Sequence, residues 1–195
     1  MNTIVENILQ NLGNDGVEKI GVRAGLDSQT TEKLIKQFGP LIVSKMGTNA
    51  MSSDKLASLD TAITKDHDGS IFNNINDLVN PSVDTKGDKI LSHIFGGSKS
   101  TVTKAIADKS EVSEGSAGAV MEMLGTLILG QIGKMKKESN DFDISMLGDL
   151  LSREKKNADE DKVNPLIELA KDFIDKDDDG SVTDDLLGMA KKFFK

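Results

Sequence analysis

Cysteine, tryptophan and tyrosine are absent from this chain of 195 residues, and proline occurs only three times. Without cysteine there is no disulfide, no thiol nucleophile, no zinc ribbon and no iron–sulfur cluster. The lack leaves the compartment open, because a chain without thiols is redox-silent anywhere. So few prolines exclude a proline-rich linker or a fibrous repeat. Seven Phe are the only aromatics. The length suits one domain, or two small ones that share a core.

Charge is unevenly placed. The formal net charge is −8. The stretch Asp159 to Asp185 holds 11 acidic residues and 3 Lys, which accounts for all of it. An electrically balanced body therefore carries an acidic C-terminal segment. Such a surface repels phosphate backbones and anionic lipid, and no basic stripe with interleaved aromatics opposes it. Nucleic acid is not expected as a partner.

The start, Met1-Asn-Thr-Ile-Val-Glu-Asn, has neither a basic n-region nor an apolar h-region, so no secretory signal is read and a cytoplasmic location is expected. The most membrane-like stretch, Gly115 to Gly133, has ten apolar residues of nineteen, five Gly and one charge, Glu122. A spanning helix needs about twenty mostly apolar residues, so a buried helix of a soluble protein is expected and no membrane span.

What the chain does have is internal repetition. A shift of 86 lays Leu34 on Val120, Ile35 on Met121, Phe38 on Leu124, Leu41 on Leu127, Ile42 on Ile128 and Met46 on Ile132. These positions follow one face of an α-helix in both copies. Both copies begin with a polar cap signal, Asp27-Ser28 and Ser113-Glu114. Pro40 is predicted to kink or split the first helix after Gly39. Thr126 takes its place in the second, which can run straighter.

The predicted fold is all-α and multihelical, two sequence-related halves around a central pair of buried helices. Shorter helices are predicted at Thr3–Leu12, Gly16–Ala24, Ser53–Thr64, Ile71–Val79, Asp84–Phe95, Ser98–Lys109, Ile144–Leu151, Asn164–Ile174 and Val182–Phe194. No segment reads as a strand. The expected division is a helical repeat domain over 1–151, a charged linker over 152–163 and an acidic helix–loop–helix over 164–195.

A second, shorter repeat matches Asp66-His-Asp-Gly-Ser-Ile to Asp177-Asp-Asp-Gly-Ser-Val at an offset of 111. Together with Ala24-Gly-Leu, Gly39-Pro-Leu and Gly87-Asp-Lys-Ile-Leu-Ser-His-Ile-Phe-Gly96, the first copy resembles a bacterial domain-of-unknown-function family of the YidB-like superfamily. The resemblance spans roughly Ile4 to Lys134, and the Gly87–Gly96 block is its most specific piece. It implies a multihelical fold and carries over no activity. The chain departs from the pattern in its second half, where Gly-Pro becomes Gly125-Thr126.

The chemistry is concentrated near the C-terminus. Asp175, Asp177 and Asp179 stand at positions 1, 3 and 5 of a calcium loop, with Gly180 at the sharp turn. Ser181 would offer its carbonyl at position 7. Position 12 should be a bidentate Glu and is Leu186. Asp184 and Asp185 are both candidates for the last ligand, so the site is expected to be weak. The alternative is that Gly180 ends one helix and Ser181 starts the next, with Asp184 and Asp185 favourable at its N-terminus. Acids at 175–179 would then oppose the dipole of the preceding helix, a conflict that a bound divalent cation removes.

Only His67 and His93 exist. His67 reads as a solvated turn residue and His93 as a packing or interface residue. Gly96-Gly97-Ser98-Lys99-Ser100 mimics part of a phosphate loop but lacks the upstream Gly and a preceding strand. The leading expectation is a non-enzymatic binding or interaction module with calcium at the C-terminal loop, meeting a protein partner or a second copy of itself. The alternatives are a structural partner-binding protein with no ion site and, third, a hydrolase built around His93.

Overall fold

Helix starts and stops are written in local hydrogen bonds. In a computed structural model, which describes residues 3–139 and 141–160, Thr3 opens α1 (Ile4–Ala24) with a capping box to Glu6. Gly13, at φ 58° and ψ −171°, breaks α1 where two separate helices are predicted. Gly25 then closes α1 in the left-handed region, and the Leu26 N–H reaches back to the Gly21 carbonyl at 2.8 Å. Asp27 caps α2 (Ser28–Asn49), its carboxylate accepting from the Thr30 N–H at 2.8 Å.

The same three bonds recur 86 residues on. Glu111 closes α6 (Lys99–Ser110) at φ 57°, Val112 N–H reaches the Ala107 carbonyl at 3.1 Å, and Ser113 caps α7 (Glu114–Glu138) from the Ser116 N–H at 3.0 Å. Another positive-φ glycine, Gly96 at φ 54°, stands between α5 (Gly87–Phe95) and α6.

α2 and α7 are the two buried helices at the centre, and they touch. The apolar face at 34, 35, 38, 41, 42 and 46 and its partner at 120, 121, 124, 127, 128 and 132 are buried throughout. Each helix also has a more extensive neighbour: α2 packs along α8 (Ile144–Glu160), and α7 along α1. α7 is long and apolar enough to cross a membrane, yet 72% of that window is buried inside the protein. The described residues form no strand.

Four expectations change. α2 is not split at Pro40 but runs on to Asn49. Pro40 removes one hydrogen bond, and the buried side chains on both sides of it, Phe38 and Leu41, hold the helix together. Ile71–Val79 is divided into a 3₁₀ turn over Ser70–Asn73 and α4 (Ile75–Val79), with Asn74 extended between them. α5 begins at Gly87 rather than Asp84, because Asp84 accepts the Lys86 N–H at 2.9 Å and Lys86 turns to φ 62°.

The fourth change is in α8, expected to stop at Leu151. It continues to Glu160, so residues 152–160 of the expected linker are helical. Their exposed charges, Arg153, Lys156 and Glu160, form an outer helix face, with Lys156 paired to Glu160 at i,i+4. Glu154 and Ala158 are buried on the inner face. The Glu154 carboxylate accepts the Ile4 N–H at 3.4 Å and so helps to cap α1. The helices expected at Asn164–Ile174 and Val182–Phe194 lie outside the described residues.

Candidate functional site

The first Asp-Gly-Ser turn joins α3 (Ser53–Asp66) to the 3₁₀ turn and lies flat on α7. Glycine makes that approach feasible. A Cβ on Gly133 would sit 1.7 Å from the His67 carbonyl oxygen, and one on Gly130 would sit 2.9 Å from the Ile71 side chain. Gly69 supplies the left-handed corner at φ 89°. Asp68 accepts the Ser70 N–H at 3.0 Å and pairs with Lys137 at 3.1 Å. Bonding to Ser70, with Lys137 beside it, lowers the Asp68 pKa to about 2.

Asp66 is held by Lys86 at 2.7 Å, which lowers its pKa. His67 is the correction here. It is read from sequence as solvated, and it is only 9% exposed. Burial lowers its pKa, against the opposing pull of Asp66.

This turn ends a groove of about 480 Å³ between α3 and α5. Met46, Leu59, Ala62, Ile90, Ile94 and Leu129 form its apolar floor, drawn from α2, α3, α5 and α7. Asp54, Lys55, Asp66, Lys86, Lys89 and His93 stand around it. Asn49 donates its side-chain N–H to the Ile94 carbonyl at 3.0 Å and ties the end of α2 to α5. Both histidines of the chain line this one groove. His93 is exposed there rather than packed.

The groove's serine, Ser58, donates its hydroxyl to the Asp54 carbonyl at 2.9 Å, an ordinary intrahelical bond. Lys99, from the phosphate-loop mimic, bonds Asp88 and lies 3.9 Å from Glu122. Among the described residues no three His, Asp or Glu side chains are grouped to hold a metal ion. Asp175, Asp177, Asp179, Ser181, Asp184 and Asp185 lie outside the described residues.

Sequence reasoning missed the groove itself. Its lysines sit on α3, α5 and the loop before α5, and only the packing of α3 beside α5 collects them. The one local signal was the Asn80-Pro81 to Gly87 stretch, too rich in turn residues to be helix throughout.

No curated protein and no solved structure matches the chain. A family model does, and it covers the capped helices, the Asp-Gly-Ser turn and the groove alike. On that match, over residues 6–135, the chain belongs to the bacterial protein family of unknown function DUF937.

Proposed function

We propose that this protein is a non-enzymatic binding module whose recognition surface is the groove between α3 and α5. The occupant it fits is an acidic, amphipathic polypeptide segment. One observation carries the reading: an open apolar floor built by four helices meets a rim bearing Lys55, Lys86, Lys89 and His93. Apolar surface covered there contributes roughly 25 cal/mol per Å². The rim lysines steer an acidic partner and fix its register, with Asp54 and Asp66 selecting against a wrong one. An amphipathic helix laid in a groove is a recurring form of such recognition.

Anilinonaphthalene sulfonate, an apolar ring system with one negative charge, tests the site. Titrated into the full chain, its fluorescence should rise with one saturable phase, and Leu59→Glu should weaken that phase at least tenfold. No saturable binding at millimolar probe, or binding indifferent to Leu59→Glu, overturns the reading.

A second reading places calcium in the loop formed by Asp175, Asp177, Asp179 and the Ser181 carbonyl, with Asp184 or Asp185 as last ligand. The contrast with the first turn favours it. There Asp66 and Asp68 each have a lysine partner. Across Asp175–Asp185 six acids face one lysine, Lys176. The family's place in the YidB-like superfamily rests, in this reading, on the Gly87–Gly96 block.

A further inference from the structure

We infer that Lys86 is the residue by which the α3–α5 groove selects an anionic ligand, and that it does so by exchange: an incoming carboxylate takes the place that Asp66 holds in this structure. The inference rests on the groove being a binding surface. It starts from the backbone. Lys86 adopts φ 62° and ψ 12°, and among the described residues only Glu111 shares that left-handed region without being glycine. Its neighbours impose the conformation. Asp84 accepts the Lys86 N–H at 2.9 Å, and the Lys86 carbonyl accepts the Ile90 N–H at 2.9 Å as α5 begins. Thr126 of α7 donates its hydroxyl to the Thr85 carbonyl at 3.2 Å. Gly87 is committed elsewhere, because a Cβ there would sit 2.5 Å from the Glu122 carbonyl oxygen. The left-handed turn therefore falls on residue 86, where glycine would be least strained.

Stability does not explain a lysine at that place. The Lys86–Asp66 pair is 2.7 Å long, and both side chains are 42% exposed. An ion pair so open to water contributes less than a left-handed non-glycine backbone costs. A strained residue that the fold does not need, standing at the end of a groove, points to binding.

Position gives the role. Lys86 lines the groove at the end that Asp66 and His67 form. It is half-buried, whereas the other rim lysines, Lys55 and Lys89, are exposed. A bound anion beside Lys86 is therefore the least screened by water. Asp66 already presents a carboxylate to the ammonium, so a ligand's carboxylate meets a preorganised partner and has only to displace Asp66. That competition sets the selectivity: an apolar ligand without an acid leaves the pair intact, and an acidic one gains the contact by breaking it.

Two probes with one ring system test this in the full chain: anilinonaphthalene sulfonate, and N-phenyl-1-naphthylamine, which lacks the sulfonate. Lys86→Gly should weaken the sulfonate about tenfold and leave the neutral amine unchanged, while Lys86→Arg keeps both. Asp66→Asn, which removes the competing carboxylate, should tighten the sulfonate about threefold. Lys86→Gly should also unfold in urea at a midpoint no lower than the wild type. Glu111→Gly relieves the same backbone strain outside the groove and should leave both probes unchanged. Sulfonate binding indifferent to Lys86→Gly, or equal losses for both probes, overturns the proposal and leaves the groove a binding surface. So does Asp66→Asn without tightening, or a urea midpoint for Lys86→Gly well below the wild type, which would make the lysine structural. Neither probe binding the wild type overturns the groove, and this inference with it.

Discussion

Gly25 and Glu111, 86 residues apart, close their helices with the same local geometry. Each closes a helix in the left-handed region, at φ 70° and 57°, and each sends its N–H back to the carbonyls three and four residues earlier. Only Gly25 lacks the Cβ that this geometry penalises. A non-glycine residue there is disfavoured by roughly 1–2 kcal/mol, partly offset by glycine's greater freedom in the unfolded chain. Glu111→Gly should therefore stabilise the protein by about 0.5–1 kcal/mol, and Gly25→Ala should destabilise it by about 1–2 kcal/mol. Urea unfolding of the two variants gives both signs. A destabilising Glu111→Gly, or a neutral Gly25→Ala, would contradict the left-handed closures.

The buried faces of α2 and α7 give a larger effect. Phe38 and Leu124 are at most 1% exposed. Phe38→Ala should cost about 3–5 kcal/mol and Leu124→Ala about 2–5 kcal/mol, from lost transfer energy and the cavity left behind. A loss below 1 kcal/mol for either would contradict the packing.

Much of this was legible in sequence, and the limits have physical causes. The helical spacing of 34, 35, 38, 41, 42 and 46 identifies a buried face because burial is what that spacing is for. Asp27 and Ser113 announce their helices because a cap is a bond within four residues. Pro40 misleads as to a split because the rule behind it is local, whereas the packing that keeps α2 whole comes from distant parts of the chain. The charges of 152–160 misread as linker for the same reason: their inner face is only visible once α8 lies on α2. The turn that holds His67 lies against Gly130 and Gly133, more than sixty residues away in the chain, and no local pattern reports that approach.

That approach is itself testable. Gly133→Ala would set a Cβ 1.7 Å from the His67 carbonyl, and the obstacle is backbone, so the turn must lift from α7. The change should cost about 3 kcal/mol or more. It should also weaken probe binding in the groove, since Asp66 and His67 form one end of it. A thermal melt and one titration check both.

The turn also sets a pH dependence. The Asp68 pKa is lowered from 3.8 to about 2 in the fold, so the native state binds fewer protons there than the unfolded chain. That contribution is fully present above pH 3.8 and is lost as pH falls through about 2. His67 acts in the same direction at higher pH. Its pKa is lowered from 6.5 by burial, so its contribution is complete above pH 6.5 and declines on acidification. Melting temperature followed from pH 7 to pH 2 should fall in two stages. Asp68→Asn should flatten the lower stage and His67→Gln the upper. A profile unchanged by either variant would contradict the assignment.

The calcium reading has its own titration. Millimolar calcium at low salt should raise the melting temperature of the wild type, with affinity on the order of 10⁻⁴ M because position 12 lacks its Glu. Magnesium should do less. Asp177→Asn with Asp179→Asn should abolish the response, whereas Asp66→Asn with Asp68→Asn should leave it in place. No heat and no melting shift in the wild type would reduce the second loop to helix capping.

The groove is the centre of the account, and amide chemical shifts test it most directly. With the sulfonate probe added to the labelled full chain, Asn49, Leu59, Ala62, Lys89 and Ile94 should shift together and saturate with a single Kd. Val22 and Val83, exposed at other places on the fold, should stay still. Shifts that scatter over the surface, or a groove that stays silent at millimolar probe, would contradict it.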